Sequence, residues 1–410
     1  MKHIINLGTI LLCGIVMAGC NPQNEKLVTI SNPSSFDRNG EMVEIPLSQL
    51  QGIDFANTVI VNQSTQEEVP FQVTYDDMLI FQASVKAGSS TEYALTHGTP
   101  APVDTVSCGK QYPERVDDIA WENDKSAYRA YGPALQARGE KAYGYDIMTK
   151  SVPYPVIEER YRMFLDPELN AKVAELRSKG RNAEADSLYN SFTYHVDHGN
   201  GMDCYSVGET LGGGTAALMT ADSTIVYPYC YKEYRILDNG PLRFSMELKF
   251  NPLTIAGNDS VVETRIISLD KGSYLNRTRI NYAGLQSATP VAVGIALHEQ
   301  NPEGFAFDGA AGYIAYADST DNTKNNNGII YVGAAFPEKL TSAGVKWFDK
   351  ERSSALGHVL ATSDYTPGST FTYYWGSGWS KGGINSSDEW NAYLKQFSEA
   401  LRQPLEIKIK

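Results

Sequence analysis

Val262-Glu263-Thr264-Arg265-Ile266-Ile267-Ser268-Leu269 and, shortly after it, Leu275-Asn276-Arg277-Thr278-Arg279-Ile280-Asn281-Tyr282 alternate in polarity and are rich in β-branched residues. That period of two is the signature of successive β-strands. Further runs of the same kind are Ala127-Tyr128-Arg129-Ala130-Tyr131, Val291-Ala292-Val293-Gly294-Ile295-Ala296-Leu297, Gly328-Ile329-Ile330-Tyr331-Val332 and Phe371-Thr372-Tyr373-Tyr374-Trp375. Strands that continue from residue 107 to residue 410 without a regular repeat imply a large antiparallel sandwich. A propeller would impose a blade period, and none is present.

Working outward, residues 27–97 hold six short strand-like runs separated by turn signals, which predicts a small β-sandwich over 21–104. Thr99-Pro100-Ala101-Pro102-Val103 reads as the linker to a large domain over 105–410. Two helical segments interrupt the strand pattern. Asp166-Pro167-Glu168 supplies an N-cap, an N1 proline and an acidic first turn, opening a helical insertion over 166–190. Ser387 is placed to cap a second helix running to Leu401, before Pro404 and a closing strand over 405–410.

The start of the chain speaks to location. Met1-Lys2-His3 is basic, residues 4–17 are almost wholly apolar, and Ala18-Gly19-Cys20 follows. This is the pattern of a lipoprotein signal peptide over 1–20, with Cys20 as the acylated residue. The expectation is a periplasmic protein, lipid-anchored to the outer membrane through Cys20, with residues 21–25 as tether. A net charge of −13 over 410 residues excludes nucleic acid as a partner. It also means that an anionic glycan would have to be gripped by local Arg and Lys. Beyond Cys13 and Cys20 the cysteines are Cys108, Cys204 and Cys230. Either Cys204 pairs with Cys230 or all three are small buried hydrophobes.

Chemistry concentrates in Tyr194-His195-Val196-Asp197-His198-Gly199-Asn200-Gly201-Met202-Asp203-Cys204-Tyr205. Read as a strand over 192–198, it places His195 and Asp197 on one face and Tyr194, Val196 and His198 on the other. Imidazole and carboxylate at that spacing suit proton transfer, making Tyr194, His195 and His198 candidate catalytic groups, with Asp203 and Tyr205 in substrate binding. The competing reading is a hydrogen-bonded polar corner. His-x-Asp-His is not a zinc spacing, so no metal is expected, and no cofactor is indicated. His298, at the end of an apolar strand, is a further catalytic candidate. Glu122 and Arg129 flank a strand start: Glu122 suits acid–base work or sugar hydroxyls, and Arg129 suits a bidentate grip on a carboxylate. The alternative is an Arg–Glu pair locking strands. Trp375 and Trp379, in a glycine-rich stretch, are candidate platforms for pyranose rings, with Lys381 meeting an anionic substituent, or else core tryptophans.

Several classes are disfavoured. Gly212-Gly213-Gly214 lacks the ending of a phosphate-binding loop, and there is neither an esterase nucleophile elbow nor a dinucleotide fingerprint. Glu158-Glu159 are adjacent and do not make a glycosidase carboxylate pair. Proton abstraction by His or Tyr is left leading.

Trp121-Glu122-Asn123-Asp124, residues 194–203, Gly240-Pro241-Leu242-Arg243, Ser268-Leu269-Asp270-Lys271-Gly272-Ser273 and Tyr374-Trp375-Gly376-Ser377-Gly378-Trp379-Ser380 together resemble the domain-of-unknown-function family 4861. The resemblance spans nearly the whole mature chain. It implies a lipoprotein of polysaccharide-degrading bacteria, found beside pectin- and uronate-processing enzymes, and a large domain similar to the galactose-mutarotase-like supersandwich. That fold hosts lyases, hydrolases, epimerases and noncatalytic proteins. The resulting expectation is a protein acting on uronate-containing oligosaccharides by His/Tyr acid–base chemistry, lyase-like or as a glycosidase or epimerase. The alternative is a noncatalytic glycan-binding lipoprotein.

Overall fold

A computed structural model describes residues 25–320 and 323–410 of the chain. The expected signal peptide, Cys20 and residues 21–24 of the tether lie outside the described residues. The two opening stretches form the hairpin Asn258–Asp270 and Leu275–Ala283, in register from Val262 opposite Ala283 to Leu269 opposite Asn276. Around it a nine-stranded antiparallel sheet assembles in the order Tyr231–Asn239, Arg243–Phe250, Asn258–Asp270, Leu275–Ala283, Phe371–Trp379, Ile330–Ala335, Tyr313–Asp318, Phe305–Asp308, with Leu253–Ile255 paired off this path. A five-stranded sheet stacks on it, built of Ile225–Val226, Gly213–Met219, Thr289–His298, Ala355–Tyr365 and Ser342–Arg352. The inward residues, such as Ile267, Ile280 and Val332 from one sheet and Leu218, Val293 and Val359 from the other, share one apolar core. The expected mainly β, antiparallel sandwich class is what the chain adopts.

Alternation also carries charge inward. Glu263 and Arg265 fall on the same face as Val261 and Ile267 and are buried as an ion pair, with Arg265 donating to Tyr145 Oη at 2.8 Å and to the Ala216 carbonyl at 2.8 Å. A buried pair stands only when such extra bonds offset its desolvation.

A four-stranded sheet of Cys108–Tyr112, Asp118–Glu122, Ala127–Ala130 and Asp146–Met148 adjoins the sandwich. The small N-terminal unit consists of a three-stranded and a five-stranded sheet over its own core. Its edge strand corrects the expected boundaries: Glu406–Ile409, assigned to the large domain, pairs with Lys26–Ser31, placing Val28 opposite Ile409. Leu405, Ile407 and Ile409 alternate onto the core around Val28 and Ile30, so the first and last strands of the described residues pair in one sheet.

The helical insertion is larger than expected. Asp166 caps Pro167–Ser178 by accepting from Glu168 N at 2.9 Å and Leu169 N at 3.0 Å, and Asn182–Asn190 follows. A helix missed by the pattern, Ile157–Phe164, precedes both. The C-terminal helix Ser387–Arg402 is capped by Ser386 rather than Ser387, Ser386 Oγ accepting from Glu389 N at 3.1 Å. Residues 192–198 are a succession of turns, not a strand. Asp197 organises them, accepting from Gly199 N at 2.8 Å and Gly201 N at 3.0 Å. Gly201 is required: its φ is +98°, and a Cβ there would lie 2.1 Å from the Thr149 carbonyl oxygen. Cys108, Cys204 and Cys230 are thiols, so the Cys204–Cys230 pairing is not made.

Candidate functional site

Strand pairing sets Arg129 directly opposite Asp146, and the first strand of that trio begins at Asp118. The guanidinium of Arg129 is buried and bonds to Asp146 Oδ2, to Asp203 Oδ2 at 3.0 Å, and lies 3.9 Å from Asp118 Oδ2. Tyr131 donates to Asp146 Oδ2 at 3.0 Å, and Tyr194 Oη accepts from Arg115 Nε at 3.0 Å. The turns over 194–205 deliver the remaining groups. Asp203 N donates to the Tyr194 carbonyl at 2.9 Å, and the half-exposed His195 ring bonds through Nδ1 to the Asp203 carbonyl at 3.1 Å. His195 and Tyr131 form the solvent side of the cluster.

Three carboxylates thus share Arg129, with Arg115 contributing only at 3.8 Å from Asp118. Burial drives the Asp146 carboxyl well above the usual range, against the pull of Arg129 and with the help of neighbouring Asp203. Burial raises Asp118 to about 6, again opposed by Arg129 and Arg115. A cluster with more acids than cations in a dry setting retains a proton near neutral pH.

A second group adjoins this one. His298 ends a strand of the five-stranded sheet and Asp318 ends a strand of the nine-stranded sheet, so their 2.6 Å bond, Nδ1 to Oδ2, bridges the two layers. Asp318 Oδ1 accepts from Thr320 N at 2.7 Å, and Tyr316 Oη accepts from His298 N at 3.0 Å. With Nδ1 donating to the carboxylate, the ring exchanges protons at Nε2. Tyr205 meets His298 edge-on, ring centroids 5.7 Å apart. Burial pushes the Tyr205 phenol far up, and Asp318, Tyr316, Asp146 and Tyr131 add to the effect. Tyr205 therefore stands between the Arg129 cluster and the His298–Asp318 pair. Its buried Oη has no hydrogen-bond partner among the described residues.

Residues 30–407 match the family model described as Domain of unknown function (DUF4861). The chain belongs to the DUF4861 family. An uncharacterized protein P7 of Formosa agariphila is 27% identical to it over 434 residues, with all of both chains aligned. Among solved structures, a glycosyl hydrolase family 38 protein from Enterococcus faecalis superimposes with a TM-score of 0.46 at 9% identity, covering 95% of this chain and 48% of that one. An alpha-mannosidase from Enterococcus faecalis V583 gives 0.44 at 10% identity, covering 95% and 46%. The DUF4861 chain spans about half the length of these two structures.

In the DUF4861 chain the expected residues divide into two groups. Tyr194, His195, Asp203, Tyr205, Arg129 and His298 come together in the polar layer. The others do not join it. His198 bonds through Nε2 to the Thr193 carbonyl at 3.0 Å, the polar corner rather than a catalytic base. Glu122 is buried, paired with Lys150 Nζ at 2.7 Å, and accepts from Val156 N and Ile157 N, so it caps the helix Ile157–Phe164. Trp375 and Trp379 are 0% and 3% exposed. Trp375 stacks on Tyr145 at 4.0 Å and donates to Thr278 Oγ1 at 2.8 Å, while Trp379 donates to the Asn327 carbonyl at 2.8 Å; neither offers a face to a sugar. Lys381 is tied to the Asn326 carbonyl at 2.6 Å, over the Trp379 ring. Arg129 does not grip a ligand carboxylate, because the chain's own aspartates occupy it. Asp118, Asp146, Asp318, Tyr131 and Arg115 were not anticipated. The available signal was a carboxylate inside or closing an apolar run, as in Tyr145-Asp146-Ile147-Met148 and Ile314-Ala315-Tyr316-Ala317-Asp318. No cluster of three or more His, Cys, Asp or Glu with metal-holding geometry occurs among the described residues.

Proposed function

We propose that this DUF4861 protein is a periplasmic, Cys20-anchored, carbohydrate-active enzyme that works on uronate-containing oligosaccharides by acid–base chemistry. The observation that carries the proposal is the His298–Asp318 pair at 2.6 Å beside the unpartnered buried hydroxyl of Tyr205. Asp318 orients the imidazole, so Nε2 is the proton acceptor. Tyr205 stays protonated at neutral pH and is the donor. In a lyase-like β-elimination, Nε2 takes the proton alpha to the uronate carboxylate, the C4–O bond breaks, and a C4–C5 double bond forms. The departing oxygen takes the Tyr205 proton. The proton retained on the raised Asp146 carboxyl supplies a hydrogen bond to the developing enolate, a role an ionised carboxylate could not fill. Sugar support comes from the family resemblance and from the mixture of donors and acceptors that neutral hydroxyls require.

Noncatalytic glycan binding is the second reading. It is favoured by the burial of the central pair, Tyr205 being 7% and His298 3% exposed. Incubating the protein with uronate oligosaccharides and following absorbance of the unsaturated product tests both. The enzyme reading expects new absorbance that disappears in His298→Ala and Tyr205→Phe. Binding without absorbance or mass change in the wild type supports the second reading instead.

A further inference from the structure

An open cavity of about 650 Å³ lies where the small sandwich, the outer face of the nine-stranded sheet and the C-terminal helix meet. Its size falls within the roughly 300–1,000 Å³ of small-molecule sites. It is separate from the polar layer: along Phe371–Trp379, Trp375 points into the core while Tyr374, its neighbour, turns outward into this cavity. Tyr374 and Phe397 have ring centroids 5.2 Å apart, and Tyr393 adds a third ring 5.9 Å from Phe397. The aromatic wall faces a charged one.

That charged wall is balanced, with Arg38, Arg243, Lys271 and Arg277 beside Asp37, Glu41, Glu44 and Asp270. Arg243 is saturated, with Nε and Nη2 at 2.5 and 2.7 Å from the two Asp270 oxygens and Nη2 2.6 Å from Glu44 Oε1. Arg277 is different. It is 20% exposed, and among the described residues its ion pair is with Glu44 Oε1 alone, through Nη1 at 2.9 Å. Part of its five-donor fork is left for a ligand. Lys271 also lines the cavity and has no ion pair among the described residues. Arg38 is spent on Glu41, and Arg243 on Asp270 and Glu44, so Arg277 and Lys271 are the lining cations with donors to spare. Burial tends to raise Glu44, yet its direct pairs with Arg277 and Arg243 hold it at about 2.

We propose that this interdomain cavity is a second, noncatalytic binding site for a carboxylate-bearing saccharide. Arg277 and Lys271 hold the carboxylate, and Tyr374 and Phe397 stack on the apolar faces of the pyranose rings. Gln396, exposed on the helix at the rim, meets the hydroxyls. The choice of sugar rests on the proposed function; the site itself does not depend on its chemistry.

Titration calorimetry with trigalacturonate tests the proposal, using His298→Ala protein so that turnover is silent. Binding is expected to survive in His298→Ala and to weaken about tenfold or more when Arg277→Gln is added. The methyl-esterified trisaccharide is expected to lose affinity to a similar degree. Gln396→Trp, at an exposed helix position away from the ion network, blocks the cavity and is expected to abolish binding even if Arg277→Gln misfolds. Unchanged affinity in both variants, binding lost in His298→Ala, or no binding at millimolar trisaccharide would each overturn the second site. Turnover without this binding removes only the cavity site, and binding here without turnover in the wild type removes only the enzyme.

Discussion

The molecule holds two arginine–carboxylate clusters that differ in charge balance. Around Arg129 three aspartates converge on one central guanidinium, and burial lifts Asp118 and Asp146 above their ordinary values. Around Arg243 and Arg277 two guanidiniums face two carboxylates, and Glu44 is held down at about 2. The same residue types therefore yield carboxyls held above their ordinary values in one place and a carboxylate held below its ordinary value in the other. Stoichiometry and burial, not residue identity, set the chemistry.

The largest expected effect is at the His298–Asp318 pair that adjoins the first cluster. His298→Ala should lower kcat/KM on uronate oligosaccharides by about 10²–10⁴-fold, the range for loss of a general base. Asp318→Asn should show a similar fall with little change in KM.

Stability separates the clusters next. Arg129→Met leaves buried carboxylates without their cation and should cost about 3–5 kcal/mol in denaturant unfolding. Arg277→Gln should cost less than about 1 kcal/mol, since Arg243 still neutralises Glu44. Equal losses would erase the distinction.

Acid sharpens it. Glu44 is depressed from 4.5 to about 2, so its stabilisation is present above pH 4.5 and is lost as pH falls toward 2. Thermal melts should lose on the order of 2 kcal/mol across that window in the wild type, and Glu44→Gln should flatten this loss.

Asp118 runs the other way and gives the smallest effect. Its value rises from 3.8 to about 6, so its favourable contribution is present below pH 3.8 and disappears as pH rises through 6. Asp118→Asn should therefore melt higher than wild type above pH 6, by on the order of 1 kcal/mol, with no gain below pH 4.

Legibility followed the range of the interactions. The hairpin over 258–283, the Asp166 cap and the helix near the C-terminus are local patterns and were readable. The helix Ile157–Phe164 was not, because its N-terminus is satisfied by Glu122, far back in the chain. His298 and Tyr205 were visible as chemistry-bearing residues, while Asp318 was invisible as a partner until two sheets stacked. Trp375 and Trp379 are buried, and Tyr374, the strand neighbour of Trp375, is the ring that faces the open cavity. A strand alternates strictly, but which of its faces looks outward depends on what packs against it.

By itself the sequence determined the mainly β architecture, through period-two patterning, and the region of the chain where titratable groups gather. Tertiary structure alone decided that Glu406–Ile409 returns to the first sandwich, that Arg129 is consumed by three aspartates, and that Arg243 and Arg277 share Glu44. Local backbone preference is written in neighbouring residues. Charge balance and burial are sums over groups brought together from distant parts of the chain, and they come into being only when the sheets close.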